Sequence, residues 1–193
     1  MSIIIGITGG IGSGKTTVAK MFQNLGIPVY NSDLEAKRIM KLPELILNLK
    51  NKFGSDYLEN GTLNRKKLAD TVFNNAEKLM ELNSIVHPFV KIDFMSWIKN
   101  NGKNKLLIKE SAILFESKAN LDCDKIITVV APLDLRIQRI IDRDNLNYDA
   151  IIKRMTNQSS DKIKSEKSDF VIENTDLELT KKQVLSIYKI LNL

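Results

Sequence analysis

Gly9-Gly10-Ile11-Gly12-Ser13-Gly14-Lys15-Thr16 is a turn built to hold phosphate, and it decides how the rest of the chain is read. Its spacing is G-x-x-x-x-G-K-[ST], and that motif carries meaning only between a strand and a helix. Both flanks are present. Ser2 to Thr8 is a short apolar run ending in glycines, which predicts a buried strand. Gly14 to Leu25 places Val18, Ala19, Phe22 and Leu25 at helical spacing. Glycines at Gly10, Gly12 and Gly14 let the backbone N–H groups of Gly10 to Thr17 turn inward around phosphate oxygens, and the helix N-terminus adds partial positive charge. Lys15 is placed to reach the β- and γ-phosphates of a nucleotide, and the Thr16 hydroxyl to ligate Mg²⁺. The opposing reading is a glycine-rich turn that binds nothing; the lysine, the threonine and both flanks speak against it.

Outward from the loop, Gly26 ends the first helix and Ile27 to Tyr30 forms a second short strand, completing a βαβ unit with parallel strands. From Ser32 to Asn101 the patterns are mostly helical, punctuated by Pro43, Gly54, Gly61, Pro88 and Gly102. The sheet resumes at Leu106 to Ile108 and Lys125 to Val130. A helix over Leu133 to Arg143 follows Pro132, and Tyr148 to Gln158 also reads as helix. The polar stretch from Gln158 to Ser168 reads as mobile, and Phe170 to Ile172 is a last strand. The final helix opens on Thr175-Asp176-Leu177-Glu178, a capping-box pattern, with Val184, Leu185, Tyr188 and Leu191 as its buried stripe. The expected fold is α/β: a P-loop kinase core with a five-stranded parallel, doubly wound sheet, a helical insertion and a helical lid. The expected boundaries are 1–33, 102–138 and 168–193 for the core, 34–101 for the insertion and 139–167 for the lid.

Composition removes several function classes. The chain has 193 residues, 43% hydrophobic and 27% charged, ordinary for one α/β domain with insertions. No apolar run approaches the ~20 residues needed to span a bilayer. Met1-Ser2-Ile3-Ile4-Ile5-Gly6 lacks a basic region and a cleavage site, so it reads as strand and not as a leader. Cys123 is the single cysteine and His87 the single histidine. An intramolecular disulfide is impossible, a Cys/His metal site is excluded, and a reducing cytoplasm is the plain location. Net charge is +6. Between Lys37 and Lys67, Lys37, Arg38, Lys41, Lys50, Lys52, Arg65, Lys66 and Lys67 stand against Glu44, Asp56 and Glu59. That stretch is either a solvated helical surface or a site for a polyphosphate substrate. Aromatics are only 6%, with Trp97 the lone tryptophan, which disfavours nucleic-acid binding. An Asn-Lys-x-Asp motif, an Asp-x-x-Gly switch and an Asp-Glu pair are all absent, so the GTPase and motor-ATPase readings weaken and a small-molecule kinase stands.

In an open parallel sheet, ligands bind beyond the carboxyl ends of the strands. The second strand ends at Tyr30-Asn31-Ser32-Asp33. A carboxylate there would accept or orient the proton of an attacking hydroxyl. Equally, Ser32-x-x-Glu35 is a capping box and Asp33 suits a first helical turn. The third strand runs into Glu110-Ser111-Ala112-Ile113-Leu114-Phe115-Glu116. Glu110 is a candidate Mg²⁺ partner through water, and Ile113, Leu114 and Phe115 are either an apolar wall or plain core. At the last strand, the Asn174 amide either reads an adenine edge or belongs to an ordinary turn. Arg139, Arg143 and Arg154 lie between the last two strands, where a closing lid would bring guanidinium groups to phosphate; singly, each is also an exposed helix arginine, with Asp142 or Asp144 as a partner.

The motifs in this order resemble the dephospho-CoA kinase family over nearly the whole chain. Gly6 to Ala19 is similar to its phosphate loop. Leu25-Gly26-Ile27-Pro28-Val29 through Asp33 looks like its second-strand motif. Leu63-Asn64-Arg65-Lys66-Lys67-Leu68-Ala69 with Val72-Phe73, and Ile85-Val86-His87-Pro88, resemble its helical domain. Leu114-Phe115-Glu116, Arg139 with Arg143-Asp144, Arg154-Met155-Thr156-Asn157-Gln158 and Asp169 to Asn174 match its later motifs. The resemblance implies transfer of the ATP γ-phosphate to the ribose 3′-hydroxyl of dephospho-CoA; a kinase for a nucleoside or another small alcohol is the alternative. It implies Asp33, Lys15 and Arg143 as catalytic residues. It implies ATP contacts from Gly10 to Thr17 and from Arg139, Arg143 and Asn174. Thr8, Asp33, Arg65, His87, Leu114, Phe115, Glu116 and Arg154 would meet the acceptor, within a helical acceptor domain. The implied partners are ATP with Mg²⁺ and dephospho-CoA, with neither nucleic acid nor membrane, on a monomer or weak homo-oligomer. Two departures stand out. Glu110-Ser111-Ala112-Ile113-Leu114 replaces the family's frequent Asp-Val-Pro-Leu-Leu, which puts any metal role of Glu110 in question. Asn31 stands where an acid is common, which removes a like-charge neighbour from Asp33.

Overall fold

The computed structural model describes residues 2–192 except 60, 73, 74, 145–147 and 157, and excludes the side chains of 66, 149, 150 and 154. Two compact units emerge, one from Met1–Asn31 with Asn100–Leu193 and the other from Ser32–Lys99.

The chain starts with β1 (Ile3–Thr8), α1 (Lys15–Asn24) and β2 (Val29–Asn31). Gly26, at φ 88°, takes the left-handed turn that ends α1. The second unit then opens with α2 (Ser32–Ile39) and α3 (Pro43–Phe53), whose first residue is the proline. A small hairpin of β3 (Leu58–Glu59) and β4 (Thr62–Leu63) follows, absent from the sequence reading. The Asn60-Gly61 pair was its signal, although Asn60 itself lies outside the described residues. α4 (Arg65–Val72) is capped by Asn64, whose Oδ1 accepts the Lys67 N–H at 2.9 Å.

α5 (Ala76–Asn101) runs through Pro88 without stopping, contrary to the expected break there. An internal proline costs about 3 kcal/mol. Against that cost, Leu79, Leu82, Ile85, Val86, Phe89 and Val90 pack on both sides of it into a core with Ile39, Leu45, Leu49, Leu68 and Val72. Burying that stripe outweighs one lost hydrogen bond. Arg38 of α2 pairs with Glu35 and with Asp93 of α5, tying the two helices at the surface.

The first unit resumes with β5 (Leu106–Glu110), β6 (Lys125–Val130), α6 (Leu133–Asp144), α7 (Tyr148–Thr156), α8 (Asp161–Glu166), β7 (Phe170–Glu173) and α9 (Leu177–Leu191). All five long strands are parallel in the order β2-β5-β1-β6-β7. The expected five-stranded parallel sheet is therefore present. α1 and α9 cover one face, where Val18, Phe22, Val184 and Ile187 meet Ile5, Ile7, Ile108, Val129 and Ile172. On the other face Gly6 leaves room for Leu114 and Cys123: an added Cβ would lie 2.7 Å from Leu114 Cδ2 and 3.0 Å from Cys123 Sγ. Burial there pushes the Cys123 thiol up to about 12.

Four local expectations change. β5 extends past Ile108 through Lys109 and Glu110, because both charged side chains are buried with partners, Lys109 on Asp122 at 3.0 Å. The segment expected to be mobile contains α8, N-capped by Ser160, whose side chain accepts from Ile163. α9 is capped by Asp176, one residue beyond Thr175, its Oδ1 taking the Leu179 N–H at 2.8 Å. Its inward stripe uses Ile187, while Leu185 stands 45% exposed, since Val184, Ile187, Tyr188 and Leu191 keep strict i, i+3, i+4, i+7 spacing.

Candidate active site

Beyond Thr8 the chain turns through Gly9–Gly14, closed by the Ser13 N–H on the Gly10 carbonyl at 3.0 Å, and α1 begins at Lys15. Gly12 and Gly14 take φ of 81° and 88°, and neighbours crowd both. A Cβ on Gly12 would lie 2.5 Å from the Arg136 carbonyl oxygen, and one on Gly14 1.9 Å from Asn174 Nδ2. Glycine is required here for backbone conformation and for close approach together.

Three side chains hold this loop from behind. Asn174, at the end of β7, donates from Nδ2 to the Ser13 carbonyl at 2.8 Å and accepts from Thr180 Oγ1 at 3.1 Å. Its amide thus holds the loop in place. Arg136 of α6 donates from Nε to the Ile11 carbonyl at 2.9 Å and pairs through Nη1 with Asp161 at 2.7 Å. Gln158 Oε1 accepts the Ile11 N–H at 2.9 Å. The sequence reading named no loop-holding role for Arg136, Asp161 or Gln158. A signal for Arg136 existed: it stands one turn before Ile140 on the buried face of α6, where an unpaired charge is costly.

Side chains left without partners surround the same loop. Thr8 Oγ1, Ser13 Oγ and Arg139 Nη1 are buried and bond to nothing among the described residues. Each such group costs about 1–3 kcal/mol unless something satisfies it. Lys15 is half-buried, and its ammonium has neither hydrogen bond nor ion pair among the described residues. Arg139 donates its other nitrogen, Nη2, to the Asn174 carbonyl at 3.0 Å, so Nη1 is held beside the loop.

The buried Glu110 carboxylate ends β5 and accepts from Thr16 Oγ1 at 2.5 Å and from Asn31 Nδ2 at 2.7 Å. The carboxylate therefore points in, onto the loop's threonine. Hydroxyl and carboxylate oxygens together are the hard donor set that suits Mg²⁺. Among the described residues, no group of three or more His, Cys, Asp or Glu could hold a metal by itself.

The remaining predicted residues divide by location. Arg143 is exposed on α6, and both its contacts to Asp144 are 2.8 Å; that pairing, above all, raises its pKa. Arg154 lies on α7 with its side chain outside the described part, and Phe73 and Asn157 are outside it too. Leu114 is 0% exposed against Gly6, so its side chain is core, while Phe115 is half-buried. Burial alone would raise the Glu116 carboxyl, but the Ser159 N–H and Lys164 outweigh it and hold it low. In the second unit, Asp33 is half-buried in the first turn of α2 and has no hydrogen bond or ion pair among the described residues. The Ser32 hydroxyl is likewise buried and unpaired, so no capping box forms with Glu35. Arg65 is exposed at the start of α4. His87 lies in the middle of α5 rather than at a helix start, and burial lowers its pKa.

Known proteins resemble this chain over most of its length. The family model described as dephospho-CoA kinase matches residues 3–178. A dephospho-CoA kinase of Fusobacterium nucleatum is 42% identical over 176 residues, covering 90% of this chain and 91% of the relative. A crystal structure of a Thermus thermophilus protein superposes with a TM-score of 0.89 at 32% identity, covering 98% of this chain and 97% of that one. Dephospho-CoA kinase from Campylobacter jejuni gives 0.72 at 27% identity, over 98% and 96%. Fold and phosphate loop together define a P-loop kinase. Within that class, the chain belongs to the dephospho-CoA kinase family.

Proposed function

We infer that this protein transfers the γ-phosphate of ATP to the ribose 3′-hydroxyl of dephospho-CoA, giving CoA and ADP. Family membership supports the reaction. The single structural observation that carries it is the set of polar groups around one phosphate loop that lack partners among the described residues: Lys15, Thr8 Oγ1, Ser13 Oγ and Arg139 Nη1. A polyphosphate would supply the acceptor oxygens these donors lack.

The residue roles that we propose rest on the family resemblance and on charge. The loop amides from Gly10 to Thr17 cradle the donor phosphates, and Lys15 neutralises charge on the transferring group. Arg139 contacts the nucleotide, and Asn174 borders its site by holding Ser13. Arg143 stabilises the γ-phosphoryl after leaving Asp144, its partner here. Thr16 and Glu110 are the residues to hold Mg²⁺ with the phosphate oxygens; when bound, the ion neutralises phosphate charge. Asp33 takes or orients the proton of the attacking hydroxyl, and its lack of a partner leaves it available for that task. Thr8, Arg65, His87, the Leu114–Glu116 loop and Arg154 form the acceptor side. The helical insertion, 34–101, serves as the acceptor domain, and 139–167 as the lid. The enzyme acts as a monomer or weak homo-oligomer in the cytoplasm; among the described residues, no helix is long and apolar enough to cross a membrane.

The test is direct. Purified protein is incubated with ATP, Mg²⁺ and dephospho-CoA, with adenosine as a parallel acceptor, and ADP and CoA are followed by chromatography. CoA formation that needs both substrates is the expected result; phosphorylated adenosine alone would sink the assignment. Asp33→Asn should lower kcat by roughly 10²–10⁴ with little change in ATP affinity. Near wild-type turnover in that variant would remove Asp33 from the reaction.

A further inference from the structure

The seven residues from Gln158 to Lys164 reach two loops at once. At one end Gln158 takes the Ile11 N–H at 2.9 Å. Asp161 pairs with Arg136, which donates to the Ile11 carbonyl at 2.9 Å. Both backbone groups of one phosphate-loop residue are thus held from this segment. At the other end Lys164, 0% exposed, donates to the Ala112 carbonyl at 2.7 Å and pairs with Glu116 at 3.2 Å. Glu116 in turn accepts the Ser159 N–H at 2.7 Å. Behind these contacts, the Lys164 carbonyl accepts from Ser168 Oγ at 2.8 Å, which sits 2.6 Å from Thr128 Oγ1 on β6.

A fully buried lysine is costly in general, because its ammonium loses water. Burial holds the Lys164 pKa low against the attraction of Glu116, and Lys15 repels it in the same direction as burial. Keeping such a group in a short helix makes sense where it does something an apolar side chain cannot: it crosslinks α8 to a loop carbonyl and a loop carboxylate. The two loops it and Gln158 reach are the donor-phosphate loop and the loop assigned to the acceptor.

We propose that Gln158–Lys164 is a two-ended positioning segment: Gln158 and the Arg136–Asp161 pair set the phosphate loop for ATP, and Lys164 sets the Ala112–Glu116 loop for the acceptor. Neither Gln158 nor Lys164 needs to touch substrate; each acts through the loop it holds. The segment lies within the proposed lid, 139–167, so movement of that lid would reach both loops through these contacts. The assignment of the two loops to two substrates rests on the proposed reaction, whereas the mechanical part does not.

The experiment compares Gln158→Ala, Lys164→Met and Lys164→Arg with the wild type in two ways. Hydrogen exchange, read by mass spectrometry, needs no reaction. Gln158→Ala should speed exchange at least about threefold in the peptide covering 9–17 and leave 111–117 unchanged; Lys164→Met should do the reverse. Steady-state kinetics then assigns substrates. Gln158→Ala should raise KM for ATP roughly tenfold with KM for dephospho-CoA within about twofold, and Lys164→Met the opposite, with partial recovery in Lys164→Arg. Should Lys164→Met fail to fold, Glu116→Gln, which removes the charge but keeps the shape, carries the same acceptor-side expectation. Equal changes at both loops in both variants, or a lowered melting temperature with unchanged exchange pattern and KM values, would overturn the proposal. Separate exchange responses in a protein that makes no CoA would instead preserve the segment and refute the reaction.

Discussion

Gly14 shows most plainly how one residue type is forced. Its φ of 88° lies where L side chains are strained, and a Cβ there would sit 1.9 Å from Asn174 Nδ2. Gly14→Ala should therefore displace Asn174, free the Ser13 carbonyl and weaken ATP binding at least about tenfold, measured by titration with a fluorescent nucleotide; affinity within twofold of wild type would contradict the crowding argument. Glu110 makes the converse point. A carboxylate beyond a strand is ambiguous on paper, and only its contacts with Thr16 and Asn31 reveal that it belongs to the loop. Asp33 stands in the first turn of α2, and its carboxylate has no hydrogen bond or ion pair among the described residues.

Helix periodicity carried most elements and failed at identifiable places. In α9 the tertiary packing selects Ile187 over Leu185, because the former meets the cluster around Phe22 and Val184. Ile187→Ala should cost roughly 2–5 kcal/mol of unfolding free energy and Leu185→Ala no more than about 1, by urea denaturation. Similar costs would mean the stripe is misplaced. α5 failed differently: a proline is a strong local stop signal, and the apolar stripe on either side of Pro88 overrides it. α8 was missed because its sequence is polar. Its stability comes from the Ser160 cap and from Lys164, whose partners Ala112 and Glu116 lie about fifty residues away in the chain.

For the molecule as a whole, one half-buried histidine links stability to pH. In Ser32–Lys99 the single histidine, His87, is held neutral by burial, its pKa lowered from 6.5. The unfolded chain takes up a proton on this group near pH 6.5 while the folded one resists, so its contribution to stability is lost as pH falls below 6.5 and levels off under the folded pKa. Wild type should lose more stability between pH 7.5 and 5.5 than His87→Gln does, in urea melts followed by far-ultraviolet circular dichroism; parallel losses would show that burial of His87 is not linked to protonation. By itself the sequence determined the parallel sheet, the phosphate loop, the helical insertion and the family, because these rest on local periodicity, a fixed glycine–lysine spacing and motif order. Only the tertiary structure decided which polar groups hold the loop and which face it empty. Arg136, Gln158, Asp161 and Lys164 acquire their roles from partners far away in the chain, and a buried hydrogen bond between distant residues leaves no period for a sequence to display.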